Sequence, residues 1–247
     1  MSYDSVYILG VRVNNITTDE TLEAINKMVA DGGPHQIVTV NPEFVMQAQH
    51  NPAFRVVLGE ATLALPDGAG LLWAAHLGGH PLHERVTGSD TLPLIAHMSA
   101  QRGYRIYLLG AAPGVAEKAA ALLTAKNPGL EIAGTFAGSP DPSFDDEIVS
   151  RIVATSPDML FVAYGAPRQD FWIHRNLERL QVPVCMGIGG ALDFITGVTQ
   201  RAPGWMRNAG LEWLHRLYKE PWRWRRMLAL PLFVIRVLAK RFDIGRD

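Results

Sequence analysis

A single cysteine, Cys185, stands among 247 residues. No disulfide within the chain and no cysteine-based zinc cluster can form, and a reducing compartment such as the cytoplasm is expected. Within VPVCMGIG the thiol reads as a small buried hydrophobe. The eight histidines show no metal-ligand spacing, and no Gly-x-Ser-x-Gly elbow occurs, so metallohydrolase and serine hydrolase readings fall away. No Asp-x-Asp pair offers itself to a metal-bound diphosphate; the FDDE of residues 144–147 reads as a solvated first helical turn, and no metal or other cofactor is expected. Long apolar runs are missing too. The longest, Met227 to Ile235, is interrupted by Pro231 and falls well short of the ~20 residues that span a bilayer. Spanning is excluded, whereas lying on a membrane surface is not. The opening MSYDSVYILGVRVNN lacks a basic region and an apolar stretch of export-signal length, so no such signal is expected.

What is present is a 48% hydrophobic chain of a length that supports one large core with an appendage. The formal net charge of −1 hides two opposed regions. Residues 1–200 carry 12 Lys and Arg against 20 Asp and Glu, a net of −8, while residues 201–247 carry 11 against 4, a net of +7. Four of the six tryptophans also lie after residue 200. A basic, Trp-rich segment on an acidic body points to an anionic partner. In PWRWRRMLALPLFVIRVLAKR the aliphatic stretch after Met227 suits lipid better than a phosphate groove, so a membrane surface is expected and nucleic acid is not. The blander reading is a helix pair that packs Trp213, Leu217 and Trp222 onto the body.

From Val6 to about Gly190 short β-branched or aliphatic runs alternate with amphipathic stretches. Strands are expected at VYILGV from Val6, QIVTV from Gln36, ATLAL from Ala61, YRIYLLG from Tyr104, EIAGTF from Glu131, MLFVAYG from Met159 and VPVCMGIG from Val182. Helices are expected over Thr17–Ala30, entered through a Thr17-x-x-Glu20 capping box, and over Pro42–Leu58, Ala69–Leu77, Ser89–Gln101, Pro113–Lys126, Ser143–Ala154 and Gln169–Leu180. Near-continuous apolar strands imply burial on both faces. The fold class is therefore α/β, a mostly parallel, doubly wound, Rossmann-like sheet, with a helical, membrane-associating C-terminal appendage. A composition shift at GVTQRAPG divides a catalytic body, 1–196, from the appendage, 197–247.

Ligands of such sheets bind beyond the carboxyl ends of the strands. Asp67, in LPDGAG, follows one strand, and two readings stand side by side: an N-cap contributing ~1 kcal/mol, or a carboxylate at the ligand edge able to act as general base. Gly110, in LLGAAPG, belongs either to a plain tight turn or to a loop whose N–H groups face a phosphate or sugar; with Gly114 it completes neither the dinucleotide nor the Walker pattern. Gln169, in GAPRQDFW, offers both donor and acceptor to a sugar hydroxyl or diphosphate oxygen, beside an Asp170 that reads as a helix cap. Arg85 is either a solvated charge or an anion clamp. Thr39 and Asn41 sit at another strand end. A Rossmann-type oxidoreductase and a non-catalytic membrane adaptor that merely binds a nucleotide are the rival functional classes.

The ordered set TVNPEF, LPDGAG, RVTGSD, LLGAAPG, VAYGAPRQDFW, GIGGALDFITG and RAPGWMRNAGLEWLHRLYKEPWRWRR closely resembles the WecG/TagA/CpsF glycosyltransferases, over most of the chain. That family builds bacterial surface polysaccharides and wall teichoic acids on a lipid carrier. The resemblance implies inverting, metal-independent transfer of an N-acetylmannosamine-type sugar from a UDP donor to N-acetylglucosamine on undecaprenyl diphosphate, at the inner face of the cytoplasmic membrane. It makes Asp67 the catalytic base, with Thr39 and Asn41 lining the same pocket. Arg85 and Gln169 would bind substrate or steady the leaving diphosphate. Asp193 and the GIGG turn, Gly189 included, would lie near the nucleotide, with Phe136 stacking on uracil. Arg216, Arg223 and Arg226 of the appendage would neutralise the diphosphate, a role that also follows from the charge a departing UDP develops. A truncated body could form a homo-oligomer through the surface the appendage otherwise covers.

Overall fold

The computed structural model describes residues 3–221, 224–240 and 245–246. The chain opens with β1 (Ser5–Ile8), β2 (Val11–Asn14), α1 (Thr18–Asp31), β3 (His35–Val40), α2 (Pro42–Ala48), α3 (Pro52–Glu60), β4 (Leu63–Pro66) and α4 (Ala69–Leu77). It continues through α5 (Gly88–Arg102), β5 (Arg105–Gly110), α6 (Val115–Lys126), β6 (Glu131–Phe136), α7 (Asp145–Val153), β7 (Met159–Ala163), α8 (Arg168–Leu180), β8 (Val184–Gly187) and α9 (Ala191–Thr196). The last segment forms α10 (Gly204–Asn208), α11 (Glu212–Lys219), α12 (Trp224–Met227), α13 (Ala229–Ala239) and β9 (Gly245–Arg246).

Six strands form one parallel sheet in the order β4-β3-β8-β7-β5-β6. Successive strand residues point to opposite faces, and both faces are dry except at the edge strand β6, which is part-exposed throughout. Ile37, Leu63, Met159 and Phe161 enter one core with α1, α5, α6 and α9. Val38 and Ala64 enter a second with α2, α3 and α4, and Leu160 and Val162 a third with α7 and α8. Helices thus cover both sides, as the apolar strands demand.

The first strand departs from the expectation. Val6–Val11 is not one strand of the main sheet: Ile8 pairs antiparallel with Val11, and Leu9 and Gly10 between them take φ of 50° and 76°. Positive φ at both loop residues gives the hairpin twist that two-residue connections need. The hairpin lies beside the edge strand β4, where the Asn14 side-chain oxygen accepts from the Ala64 N–H at 2.7 Å and the Arg12 guanidinium donates to the Ala61 carbonyl. Pro42–Leu58 likewise divides into α2 and α3, because Pro52 ends the first run and Asn51 caps the second, accepting from the Phe54 N–H at 3.1 Å. The capping box of α1 is present, with Thr17 and Glu20 satisfying each other's backbone N–H groups.

The appendage helices dock chiefly through residues other than the expected Trp213, while the expected Leu217 is part-buried and lines the cavity described below. Phe233 and Val237 of α13 are fully buried in the core of α2, α3 and α4, and Met227 is buried as well. Trp213 stays 40% exposed, and Trp222 lies outside the described residues. On the far side of α13, Leu232, Ile235 and Leu238 are 51%, 61% and 53% exposed. Among the described residues no helix is long and apolar enough to cross a membrane.

Candidate active site

Four neighbouring strands, β4, β3, β8 and β7, bring their carboxyl ends to one cavity of about 830 Å³. Thr39 and Asn41 line it from the end of β3, Asp67 from the end of β4, Gln169 from the start of α8, and Gly189 and Gly190 from the turn after β8. Arg85 enters from the loop before α5. The opposite wall belongs to the appendage: Glu212, Trp213 and Arg216 of α11, Arg226 of α12 and Phe233 of α13.

Local chemistry fixes several of these groups. Asn41 caps α2, its side-chain oxygen accepting from the Phe44 N–H at 3.0 Å, so its amide nitrogen is the end left to meet a ligand. Gln169 is buried, and its Oε1 accepts from the Gly189 N–H at 3.0 Å, tying the start of α8 to the β8 turn. Gly189 takes φ of 55° in that turn. Arg216 reaches across from the appendage until its guanidinium lies where a Cβ on Gly190 would come within 3.0 Å, and it also flanks the Phe194 ring, 5.4 Å from the centroid.

Asp67 is not an N-cap. Gly68 holds that position, with φ of 116°, and no side chain caps α4. The residue is half-buried at the cavity wall, where protein replaces much of the carboxyl's hydration. That desolvation pushes its pKa up to about 7; Arg85 and Arg216 pull it down, while Glu212 and Asp90 add to the rise. Near neutrality such a group is part ionised, which suits proton acceptance from a hydroxyl. Asp170, in the first turn of α8, is the contrasting case. It is fully buried, burial alone pushes it up to about 7, and it does not line the cavity.

Each arginine of the cavity has a carboxylate beside it. Arg85 lies 3.9 Å from Glu212, Arg216 lies 3.8 Å from Glu220, and Arg226 lies 2.8 Å from Glu43. Arg201, in the link between body and appendage, donates to both oxygens of Asp90 at 2.6 and 3.2 Å and approaches Glu212 at 3.6 Å. Burial raises the Asp90 pKa, but hydrogen bonds from Arg201 and Thr87 outweigh it and hold the carboxyl below its ordinary value.

Of the residues singled out in the sequence, Thr39, Asn41, Asp67, Arg85, Gln169, Gly189, Arg216 and Arg226 therefore share one cavity. Arg223 lies outside the described residues. Gly110 is not in the lining; it packs on β7, where a Cβ would come within 2.8 Å of the Ala163 carbonyl carbon. Asp193 stands behind Gly190 in α9 and is not in the lining either. Phe136 also lies outside it, with the Arg151 guanidinium 4.3 Å over its ring. The FDDE segment is not simply solvated, since Asp145 is buried and takes two hydrogen bonds from Arg175 at 2.6 and 2.9 Å. Glu43, Glu212 and Phe194 line the cavity without having been anticipated. Among the described residues no group of three His, Cys, Asp or Glu side chains could hold a metal ion.

Residues 6–246 match the glycosyl transferase WecG/TagA/CpsF family. The chain belongs to that family. It is 38% identical over 202 residues, 82% of this chain and 78% of the relative, to the N-acetylglucosaminyldiphosphoundecaprenol N-acetyl-beta-D-mannosaminyltransferase of Bacillus spizizenii. The enzyme of the same name from Bacillus subtilis is 34% identical over 203 residues, covering 82% and 78% of the two chains. That of Staphylococcus aureus strain MW2 is 33% identical over 242 residues, covering 96% and 93%. A glycosyltransferase of the WecG/TagA/CpsF family is neither an oxidoreductase nor a passive adaptor, and those two rival readings end here. The match runs through the appendage, so the arginine wall opposite Asp67 belongs to the family region.

Proposed function

We propose that the protein transfers N-acetylmannosamine, or a closely related hexosamine, from a UDP donor to N-acetylglucosamine on a polyprenyl diphosphate, with inversion. The observation that carries this reading is the single cavity in which Asp67 faces arginines contributed by two distant parts of the chain. Asp67 takes the proton of the acceptor hydroxyl as that oxygen bonds to the anomeric carbon of the donor. The bond from that carbon to the β-phosphate oxygen breaks, and UDP leaves with the electron pair. Arg85, Arg216 and Arg226 offset the charge that develops on the diphosphate, in the place a metal takes in other sugar transferases. Asn41 and Gln169 orient sugar and phosphate, and Thr39 lies beside the base. Arg223 joins the cationic set by its place in the sequence.

The appendage has a second task in this reading. Its net positive charge and the exposed Trp205, Tyr218, Trp224, Leu232 and Ile235 suit the boundary of an anionic membrane, where the lipid-linked acceptor resides. UDP release from UDP-N-acetylmannosamine, measured with a short-chain prenyl diphosphate N-acetylglucosamine acceptor in the presence of EDTA, tests the reaction and its metal independence together. Turnover that needs both substrates and survives the chelator supports it. Absence of turnover across a panel of UDP-hexosamines overturns the donor class, and loss in EDTA overturns the arginine role.

A further inference from the structure

Glu43 holds a place in the cavity that the proposed reaction does not use. It stands in the first turn of α2 and lines the cavity. One of its oxygens accepts from both Nε and Nη2 of Arg226, at 3.1 and 2.8 Å. The partners are 183 residues apart in sequence, one from the body and one from α12. The neighbouring ion pairs, Arg85 with Glu212 and Arg216 with Glu220, are looser, at 3.9 and 3.8 Å. An arginine edge that already holds a carboxylate oxygen on two N–H groups presents nothing to a phosphate until that oxygen withdraws, since both anions need the same donors.

We infer that Glu43 is an internal stand-in for the diphosphate: its carboxylate and a diphosphate compete for the same edge of Arg226, the glutamate giving way as a diphosphate binds and reclaiming the arginine as the product leaves. The inference rests on the proposed diphosphate chemistry of this cavity and adds a residue that sets how tightly the product is held. Docking of the appendage does not depend on this pair, because Phe233 and Val237 of α13 are buried in the body's core independently of it. A pair exposed to 47% on the arginine and 23% on the glutamate exerts a modest competing pull, of the size that two- to five-fold changes in affinity report, to within about a factor of two.

Titration calorimetry of the full chain with inorganic pyrophosphate, and separately with UDP, decides the matter through the sign of the change. Glu43→Gln is expected to tighten pyrophosphate binding by about two- to five-fold, and Arg226→Gln to weaken it. On the Arg226→Gln background the glutamate substitution is expected to change nothing. If Glu43→Gln leaves the affinity unchanged or weakens it, the pair is a fastening of the appendage and the inference fails. If it tightens binding equally without Arg226, only the general field of the cavity has changed and the inference also fails. Failure of the unaltered chain to bind pyrophosphate and UDP overturns the proposed function and this inference with it.

Discussion

The body and the appendage achieve their structure by different means. In the body, strands buried on both faces and helices on both sides close three apolar cores, and its formal charge over residues 1–200 is −8. The appendage, from residue 204 onward, buries few large side chains, chiefly Met227, Phe233 and Val237, and otherwise meets the body through paired charges such as Arg207 with Asp90 and Arg226 with Glu43. Among the described residues the appendage has no core of its own and contributes Phe233 and Val237 to one of the body's. The cavity needs both: one wall is dictated by the sheet, the other by a segment with little to fix it except the sheet.

The sharpest way to probe that division is at the rigid wall. Asp67→Asn is expected to lower kcat by about 10²–10⁴-fold while UDP binding, followed by calorimetry, persists; unimpaired turnover removes Asp67 from the chemistry. Next comes the fastening of the appendage wall. Phe233→Ala removes a buried ring, a change that costs about 3–5 kcal/mol in a well-packed core. If the appendage is a separate unit, that loss appears as faster proteolysis near residues 197–203 with the body's unfolding temperature nearly unchanged. A single lowered transition for the whole chain erases the distinction between the two regions.

Third in size is the cationic side. Arg216→Gln is expected to cost about 10²–10³-fold in kcat, the range for removing one donor to a developing oxyanion, with little change in global stability; an effect confined to KM makes it a ground-state binder instead. The smallest effect is on stability against pH. Asp67 carries a pKa of about 7 in the folded chain, above its ordinary value. The folded state therefore binds its proton more tightly than the unfolded state does. Its stability is fullest at pH below the ordinary aspartate range and declines as pH rises through about 7. Asp67→Asn should accordingly gain stability relative to the parent, from nothing at pH 3 to about 1–4 kcal/mol at pH 8. Urea unfolding across that range checks the sign.

Much of this division is readable in the sequence, for local reasons. Strand runs that are apolar at every position report burial on both faces, and Thr17-x-x-Glu20 reports a helix start within four residues. Asp67 stands out because a turn with glycine follows a buried strand. The Asn51–Pro52 break is equally local, a cap followed by an imino acid, and it divides the run expected as one helix. The hairpin was harder, since Leu9 adopts positive φ, which side-chain chemistry disfavours and which only the pairing of the flanking strands enforces. Asp145 could not be distinguished from its solvated neighbours, because its partner Arg175 arrives on a different helix. Glu43 and Glu212 look like ordinary acids in first helical turns. Their place in the cavity wall exists only once the appendage has crossed the strand ends.

A small three-stranded antiparallel sheet, in the order β2-β1-β9, joins the two ends of the described chain. Gly245 and Arg246 pair with Tyr7 and Val6, alongside the opening hairpin. The helices that cover the cavity are consequently attached at both ends, through the link near residue 201 and through β9. A strap buckled at two points keeps one register across the strand ends, and with it the alignment of Arg216 and Arg226 in the cavity they share with Asp67.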